Sequence, residues 1–277
     1  MALTILTNLA SLNTKRHLEE SSDKFAQSAE RIATGKRINK SGDDAAGLSI
    51  STSIEGQVRS IQQARRNAQD ALSLLQVAEG GMNDVNNSIV RLRELAMQAA
   101  SDNVGDAERQ SIQFEVEQIK QEIDRLSGST KYLDNPLLNG KGRNFSFQIG
   151  PDNDENNRFE YDSGKLDLSV STLGLTSVDL SDIDSARESF TTIDESVKKL
   201  AEPRAELGAL QSRLQSVSSS LSVYEENMTA ARSRIIDADI AKETADVVKA
   251  QVLQKAGVAI LSQTNMTPAM ALKLLGD

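Results

Sequence analysis

From Ile61 to Ala99 an apolar residue falls at every third or fourth position without a break: Ile61, Ala64, Ala68, Ala71, Leu75, Ala78, Met82, Val85, Ile89, Leu92, Ala96 and Ala99. A strand alternates with period two, so this spacing belongs to a helix, and its length predicts coiled-coil packing rather than a lone amphipathic surface helix. Gly80-Gly81 lies inside the run, where a bend is expected. A seam this rich in alanine needs little aromatic filling. The composition agrees, with aromatics at 3%, no tryptophan and hydrophobic residues at 38% of the 277.

After the break "SDNVGD", Ile112, Val116, Ile119, Ile123 and Leu126 form a second stripe. It predicts a helix folding back on the first as an antiparallel hairpin. "SGSTKYLDNPLLNGKG" then punctuates the chain with Gly128, Pro136, Gly140 and Gly142. Three short alternating runs follow: Phe145, Phe147 and Ile149; Phe159 and Tyr161; Leu166, Leu168 and Val170. Period two, with turn-rich "GPDNDENN" and "DSG" between the runs, predicts a small antiparallel sheet.

From Asp182 the helical spacing returns through Ile183, Ala186, Phe190, Ile193, Val197, Leu200 and Leu207. It then changes phase to Leu210, Leu214, Val217, Leu221, Tyr224, Met228, Ala231 and Ile235. The short step between Leu207 and Leu210 is a stammer beside Pro203 and Gly208, expected to overwind the helix locally. The fold class is therefore mainly α: a long antiparallel coiled-coil rod with a small β-sheet region. Its expected divisions are 1–40, 41–140, 141–181, 182–235 and 236–277.

The two ends carry interrupted stripes. Leu3, Ile5, Leu6, Leu9, Leu12, Leu18, Phe25 and Ile32 are broken by Thr, Asn, Ser and charges. Ala245, Val248, Val252, Ala256, Ala259, Met266 and Met270 make the C-terminal counterpart. Most helical stability in proteins comes from packing an apolar face, so each end is expected to need a partner, either the other end or a neighbouring chain.

The net charge of -9 argues against nucleic-acid binding, which needs a basic face. The absence of cysteine excludes a disulfide framework, a thiolate nucleophile and Cys-ligated zinc. No apolar run approaches the roughly 18 to 20 residues that span a bilayer. The start, "MALTILTNLASLN", lacks a basic n-region and is a poor cleavable signal peptide.

"ERIATGKRINKSGDDAAGLSIS", Glu30 to Ser51, sets Lys36, Arg37 and Lys40 before Asp43 and Asp44. Gly35-Lys36 lacks the upstream glycine and the following Ser or Thr of a phosphate loop. Asp43 and Asp44, adjacent and without a nearby His or Glu cluster, make neither a metal site nor an acid-base pair. A joint between two helices fits better. Gly35 closes the first in a left-handed cap, and Ser41 or Asp43 caps the next, with Asp44 in its first turn. His17, among Lys15, Arg16 and Glu19, reads as an exposed helix residue. The Asn-x-Ser/Thr triplets at Asn86 and Asn227 fall on predicted helices or seams and read as chance matches.

Three stretches resemble one family, bacterial flagellin. "ERIATGKRINKSGDDAAGLSIS" is similar to its N-terminal signature, "IVRLRELAMQAA" (Ile89 to Ala100) to its outer-tube helix, and "ARSRIIDADIAKETADVVKAQVLQKAGVAILSQTN" (Ala231 to Asn265) to its C-terminal signature. With the hairpin around "IDRLSGSTKYL", the likeness covers about 1–140 and 182–277.

The resemblance implies a short form, because 141–181 holds only the small sheet and no variable outer domains. It implies an extracellular subunit of the flagellar filament. Such a subunit is exported without signal cleavage by the flagellar type III apparatus and its chaperone, self-assembles, and meets hook-associated junction and cap proteins. Terminal helices would pair in the filament core, and Lys36, Arg37, Lys40, Asp43 and Asp44 would join its inner and outer layers. The family's Toll-like receptor and assembly surface resembles Arg91, Leu95, Gln98 and Glu115. Its C-terminal leucines, read by cytosolic sensors, resemble Leu272, Leu274 and Leu275, although Gly276-Asp277 departs from the common basic ending. The resemblance implies no enzyme, cofactor or metal. The alternatives are a hook-filament junction protein and a coiled-coil signalling protein.

Overall fold

Every seam position from Ile61 to Ala99 is buried in the computed structural model, which describes residues 8–275 and side chains through residue 266. The seam lies on α2 (Ala45–Ala99), one unbroken helix through Gly80 and Gly81. Leu74 and Leu95 are buried as well. The stripe is wider than a single-partner seam because α2 packs against two helices, α3 (Asp106–Ser129) and α5 (Ile183–Ile236).

Side-chain pairs fix both directions. Arg65 meets Glu225, Glu79 meets Gln211 and Arg93 meets Asp194, so α5 recedes in number as α2 advances. Arg91 meets Glu115, and Arg109 reaches the carbonyl of Ala99, so α3 is antiparallel too. The remaining helices are α1 (Leu9–Thr34), α4 (Val170–Leu173) and α6 (Ile240–Leu275). The chain divides into two compact units: Gln57–Glu226, and Met1–Gly56 with Asn227–Asp277.

The stretch after α3 differs from the single sheet expected. A two-residue hairpin comes first, β1 (Lys131–Tyr132) on β2 (Asn135–Pro136), turning through Leu133 and Asp134 at φ of 47° and 64°. Two positive φ values are the signature of a tight hairpin turn that usually recruits Asn-Gly. "LD" does not advertise it. β3 (Asn144–Gln148) then pairs antiparallel with β4 (Arg158–Asp162), setting Phe145 opposite Tyr161 and Phe147 opposite Phe159.

The third alternating run, Leu166 to Val170, is not a strand in that sheet. It makes one bridge, Asn139 to Asp167, and Val170 opens α4. Alternation there serves a crossing segment whose Leu166 and Leu168 are buried, since any extended chain over a core points alternate side chains inward.

A polar row on α3 holds this segment down. Gln113 accepts from the Leu180 amide at 2.8 Å, and Asp124 accepts from the Val170 amide at 2.9 Å. Lys120 donates to the Val178 carbonyl at 2.7 Å, and Ser127 donates to the Leu138 carbonyl at 2.7 Å. Spacings of seven, four and three place all four along one flank of the helix, beside its apolar stripe. They satisfy backbone groups that no sheet pairs, which a buried irregular segment requires.

Gly80 and Gly81 have separate roles, neither of them to break the helix. A Cβ on Gly80 meets nothing within 4 Å, whereas one on Gly81 would sit 2.6 Å from both Leu138 Cδ1 and Thr130 Oγ1. Gly80→Ala is expected to stabilise the monomer by about 1 kcal/mol through helix propensity. Gly81→Ala is expected to destabilise it by roughly 1–3 kcal/mol through overpacking. Urea unfolding followed by circular dichroism checks both, and equal shifts for the two would contradict the close approach.

Candidate assembly surfaces

The terminal unit is built on α1 and α6, which run antiparallel. The Asn8 side chain donates to the Thr264 carbonyl at 2.8 Å, Gly257 faces Leu18, and Arg31 pairs with Glu243 at 3.3 Å. Asn8 caps α1 by accepting from the Ser11 amide, and Gly35 closes it at φ 68°. Asp239 caps α6 through the Ala241 and Lys242 amides.

The termini therefore pair as expected, but not through the C-terminal stripe read from sequence. That stripe, Ala245, Val248, Val252, Ala256, Ala259 and Met266, is exposed; Met270 lies outside the residues with described side chains. The face turned to α1 carries Glu243, Val247, Ala250, Gln254, Gly257, Leu261 and Thr264. Small and polar residues allow two helices to approach closely, and α1 answers with Ser11, Thr14, Leu18, Ser21, Phe25, Ser28 and Ile32. Leu9 and Leu12 remain exposed, and Leu3, Ile5 and Leu6 lie outside the described residues. Leu253, Val258 and Ile260 of α6 are also about half exposed. Apolar side chains thus extend beyond the face that α1 covers, with Lys242, Asp246, Lys249 and Lys255 exposed among them.

The pairing is anchored by a partly buried ion pair that sequence reading missed. Arg31 sits in the last turn of α1 and Glu243 in the first turn of α6, each at the dipole end that favours its charge. Arg31 Nε and Glu243 Oε2 are buried without partners.

The two connectors leaving this helix pair are stitched together. Lys36 and Asp237 form an antiparallel bridge, the Arg37 amide donates to the Ile236 carbonyl at 2.7 Å, and the Ala238 amide donates to the Gly35 carbonyl at 2.9 Å. The Arg37 guanidinium adds a bond to the Ile235 carbonyl at 2.7 Å. Lys40 pairs with Glu30 at 2.9 Å, which raises the ammonium pKa above its ordinary value.

The two aspartates are spent on backbone rather than on these cations. Asp43 accepts from the Asn39 and Lys40 amides, both at 3.0 Å. Asp44 caps α2, accepting from the Gly47 amide at 2.8 Å. The cap is thus Asp44, one residue past Asp43, because the helix begins at Ala45.

The Lys40 and Asn39 amides hold the Asp43 carboxyl below its ordinary 3.8. A lowered pKa contributes stability above the unfolded value and loses it as pH falls through the folded one. The joint should therefore loosen only below about pH 3.8, the ordinary value. Titrating the Asp43 carboxyl carbon by NMR should give a midpoint beneath that value, and a midpoint at or above it would mean the amide contacts are absent in solution.

Arg91, Glu115 and Gln98 are exposed on the α2–α3 hairpin. Arg91 grips Glu115 through two nitrogens at 2.7 and 2.9 Å and also pairs with Glu94, which together raise its pKa. Leu95 differs from the accessible position expected of it: it is 2% exposed. Three residues after Leu92, it falls on the core stripe. Leu272, Leu274 and Leu275 end α6, where side chains lie outside the described residues.

Long antiparallel helices and a terminal pair with an uncovered apolar face define a helical structural subunit. Comparison with known proteins narrows the class. Residues 5–143 match the bacterial flagellin N-terminal helical region, and residues 190–275 match the C-terminal helical region. A flagellin of Halalkalibacterium halodurans is 35% identical over 97% of this chain and 98% of its own. The crystal structure of Bacillus cereus flagellin is similar at 27% identity and TM-score 0.50, covering 60% of this chain and 94% of that one. A flagellar hook-associated protein of Vibrio parahaemolyticus shares the fold at 14% identity and TM-score 0.57, over 70% of this chain and all of that one.

The chain belongs to the bacterial flagellin family, in a short form. It is a structural subunit of the flagellar filament, outside the cell, and serves motility. The junction-protein reading is the less supported. No helix among the described residues is long and apolar enough to cross a membrane.

Proposed function

We propose that the subunit adds to the filament by burying the outward face of α6 against neighbouring copies, so that 1–40 with 236–277 forms the inner domain. In this reading 41–140 and 182–235 form the surrounding tube, and 141–181 is the small β region beside it. The carrying observation is the exposed row Val248, Val252, Ala256, Ala259 and Met266, an apolar surface on a helix already paired along its other side. An open heterologous contact repeated by one helical operation gives a filament.

The subunit travels through the flagellar type III apparatus with an export chaperone, without loss of a signal peptide. Junction and cap proteins bound the polymer, and the subunit performs no catalysis. The surface resembling the receptor site, Arg91, Gln98 and Glu115 with Leu95 beneath them, is read by a Toll-like receptor on the monomer and covered in the filament. Leu272, Leu274 and Leu275 are the sensor-like leucines, and the Lys36–Asp44 joint connects the two layers.

Limited proteolysis with mass spectrometry before and after seeded assembly tests this reading. In the monomer, brief digestion should remove 8–33 and 240–266 before the Gln57–Glu226 unit is cut. Incorporation should protect both ends. Equal resistance in the two states would overturn the burial of α6 by neighbours.

A further inference from the structure

Asn139-Gly140 is the one Asn-Gly pair in the sequence. An asparagine before glycine is open to attack by the following amide nitrogen on its own side-chain carboxamide, because glycine carries no Cβ to hinder the approach. Here the two halves of that reaction are held in opposite ways. Asn139 Oδ1 accepts from the Lys141 amide at 3.0 Å, which fixes and polarises the carboxamide carbon. The Gly140 amide, the nucleophile, instead donates to the Leu166 carbonyl at 3.0 Å, so its proton is held where the reaction must remove it. Gly140 sits at φ 67° against Asp167, whose Cβ lies 3.0 Å from where a Cβ on residue 140 would stand. The block on the pair is therefore supplied by the crossing segment, Leu166 to Val170.

We propose that Asn139 is a latent deamidation site which the crossing segment keeps shut, so that reaction there marks subunits in which this segment has opened. Once Leu166 lets go, the Gly140 nitrogen loses its proton and bonds to Asn139 Cγ. The carboxamide C–N bond breaks, and its nitrogen leaves with that proton as ammonia. Water then opens the five-membered imide at one carbonyl or the other, leaving aspartate or isoaspartate at 139. Either product weakens the closed state. Asn139 and Asp167 face each other across an antiparallel bridge whose two hydrogen bonds, Gly140 to Leu166 and Leu168 to Leu138, flank the pair rather than join it. Side chains are closest in such a pair, and like charges directly opposite are destabilising. Asp167 is not free to swing clear, because the Ser169 amide and the Thr172 hydroxyl hold its carboxylate at 3.0 and 2.7 Å. Isoaspartate also adds a methylene to the main chain between Leu138 and Gly140, which puts the two flanking bonds out of register.

Peptide mapping by mass spectrometry, with isoaspartate counted by isoaspartyl methyltransferase labelling, reads the reaction on the full-length monomer in mildly alkaline buffer. In urea, Asn139 should convert ahead of every other asparagine. In the folded monomer it should convert at least about tenfold more slowly, because reaction waits on a local opening. Leu168→Ala strips packing from the crossing segment, where Leu168 is 2% exposed. Deamidation of the folded variant should rise by at least about tenfold. Hydrogen exchange of the Gly140 amide should rise by the same factor, since one opening frees that nitrogen for both. Circular dichroism checks that the long helices persist. Asn139→Asp, the simpler product, should speed exchange of the Gly140 and Leu168 amides by about threefold.

Deamidation equally fast in folded and urea-unfolded chains would overturn the gate. So would a Leu168→Ala variant whose Gly140 exchange accelerates while its deamidation does not. Unchanged exchange in Asn139→Asp would overturn the penalty on closing again. If Leu168→Ala fails to fold, the wild-type comparison and Asn139→Asp still decide the matter. All are measurements on the monomer and hold whatever covers α6 in the filament.

Discussion

Val252→Asp is expected to leave the monomer folded and to stop filament growth. Val252 lies mid-helix on α6, 59% exposed, between Val248 and Ala256 on the outward row. In the monomer the new carboxylate stays in water, and surface substitutions of this kind change stability by about 0.5 kcal/mol or less. In the filament the same carboxylate would enter an apolar contact without a partner, at a cost of several kcal/mol. Each 1.4 kcal/mol is a factor of ten, so the critical concentration for seeded growth should rise by at least about 100-fold.

Ala250→Asp gives the contrast two residues away. Ala250 is 4% exposed against α1, so an aspartate there should separate α1 from α6 in the monomer itself and lower its helical circular dichroism. Sedimentation of seeded mixtures measures the first effect, and circular dichroism of the unseeded proteins measures the second. Filaments of Val252→Asp forming at the wild-type critical concentration would mean that the outward row stays wet in the polymer.

That pair of substitutions also marks where sequence reading succeeded and where it stopped. The Ile61–Ala99 seam was legible because one physical signal, apolar spacing, set it, and every named position is buried. The terminal helices were legible as a pair but not by face. On α6 the row with the best apolar spacing is the one α1 leaves uncovered, and a single chain cannot say whether an apolar row meets itself or another copy. The β region failed for a different reason. Leu166 to Val170 alternates like a strand, yet its carbonyl and amide partners lie at Gly140 and Leu138 rather than along a strand ladder.

Polar anchors were the least visible. Gln113, Lys120, Asp124 and Ser127 look in sequence like the solvated side of a helix. Their place beside the stripe of Ile112, Val116 and Ile123 is the one sign that they face inward. The joint between α1 and α2 was read correctly at Gly35, which closes α1 in the left-handed region. It was missed at Asp44, because two adjacent aspartates both suit a cap and only the helix start decides between them.

Arg109 is the anchor whose loss should cost the monomer most. α2 ends at Ala99 with its last carbonyls free of helical partners, as every helix does. Backbone amides take the Ala96 and Gln98 carbonyls, and a side chain from the next helix satisfies the Ala99 carbonyl. Arg109 Nε donates to the Ala99 carbonyl at 3.0 Å, Nη2 to the Ser101 carbonyl at 3.1 Å, and Nη1 to Asp106 at 3.0 Å. The guanidinium is a cation at a helix C-terminus, which the dipole favours. At 4% exposure it is also held from water, so its bonds to carbonyl oxygens are stronger than neutral ones.

Arg109→Met keeps the apolar stem and removes every donor, leaving the Ala99 carbonyl buried and unpaired. The expected loss is roughly 2–4 kcal/mol, one charged hydrogen-bond cluster plus the penalty of the stranded acceptor. Arg109→Lys should recover less than half of it, because one ammonium cannot span carbonyls that the planar fork reaches together. Urea unfolding of the monomer gives both values, and amide exchange should show the loss opening first at residues 99–109, where α2 turns into α3. A methionine variant as stable as the wild type would mean that the turn is held by the apolar contacts of Ala96, Ala99 and Ile112 alone.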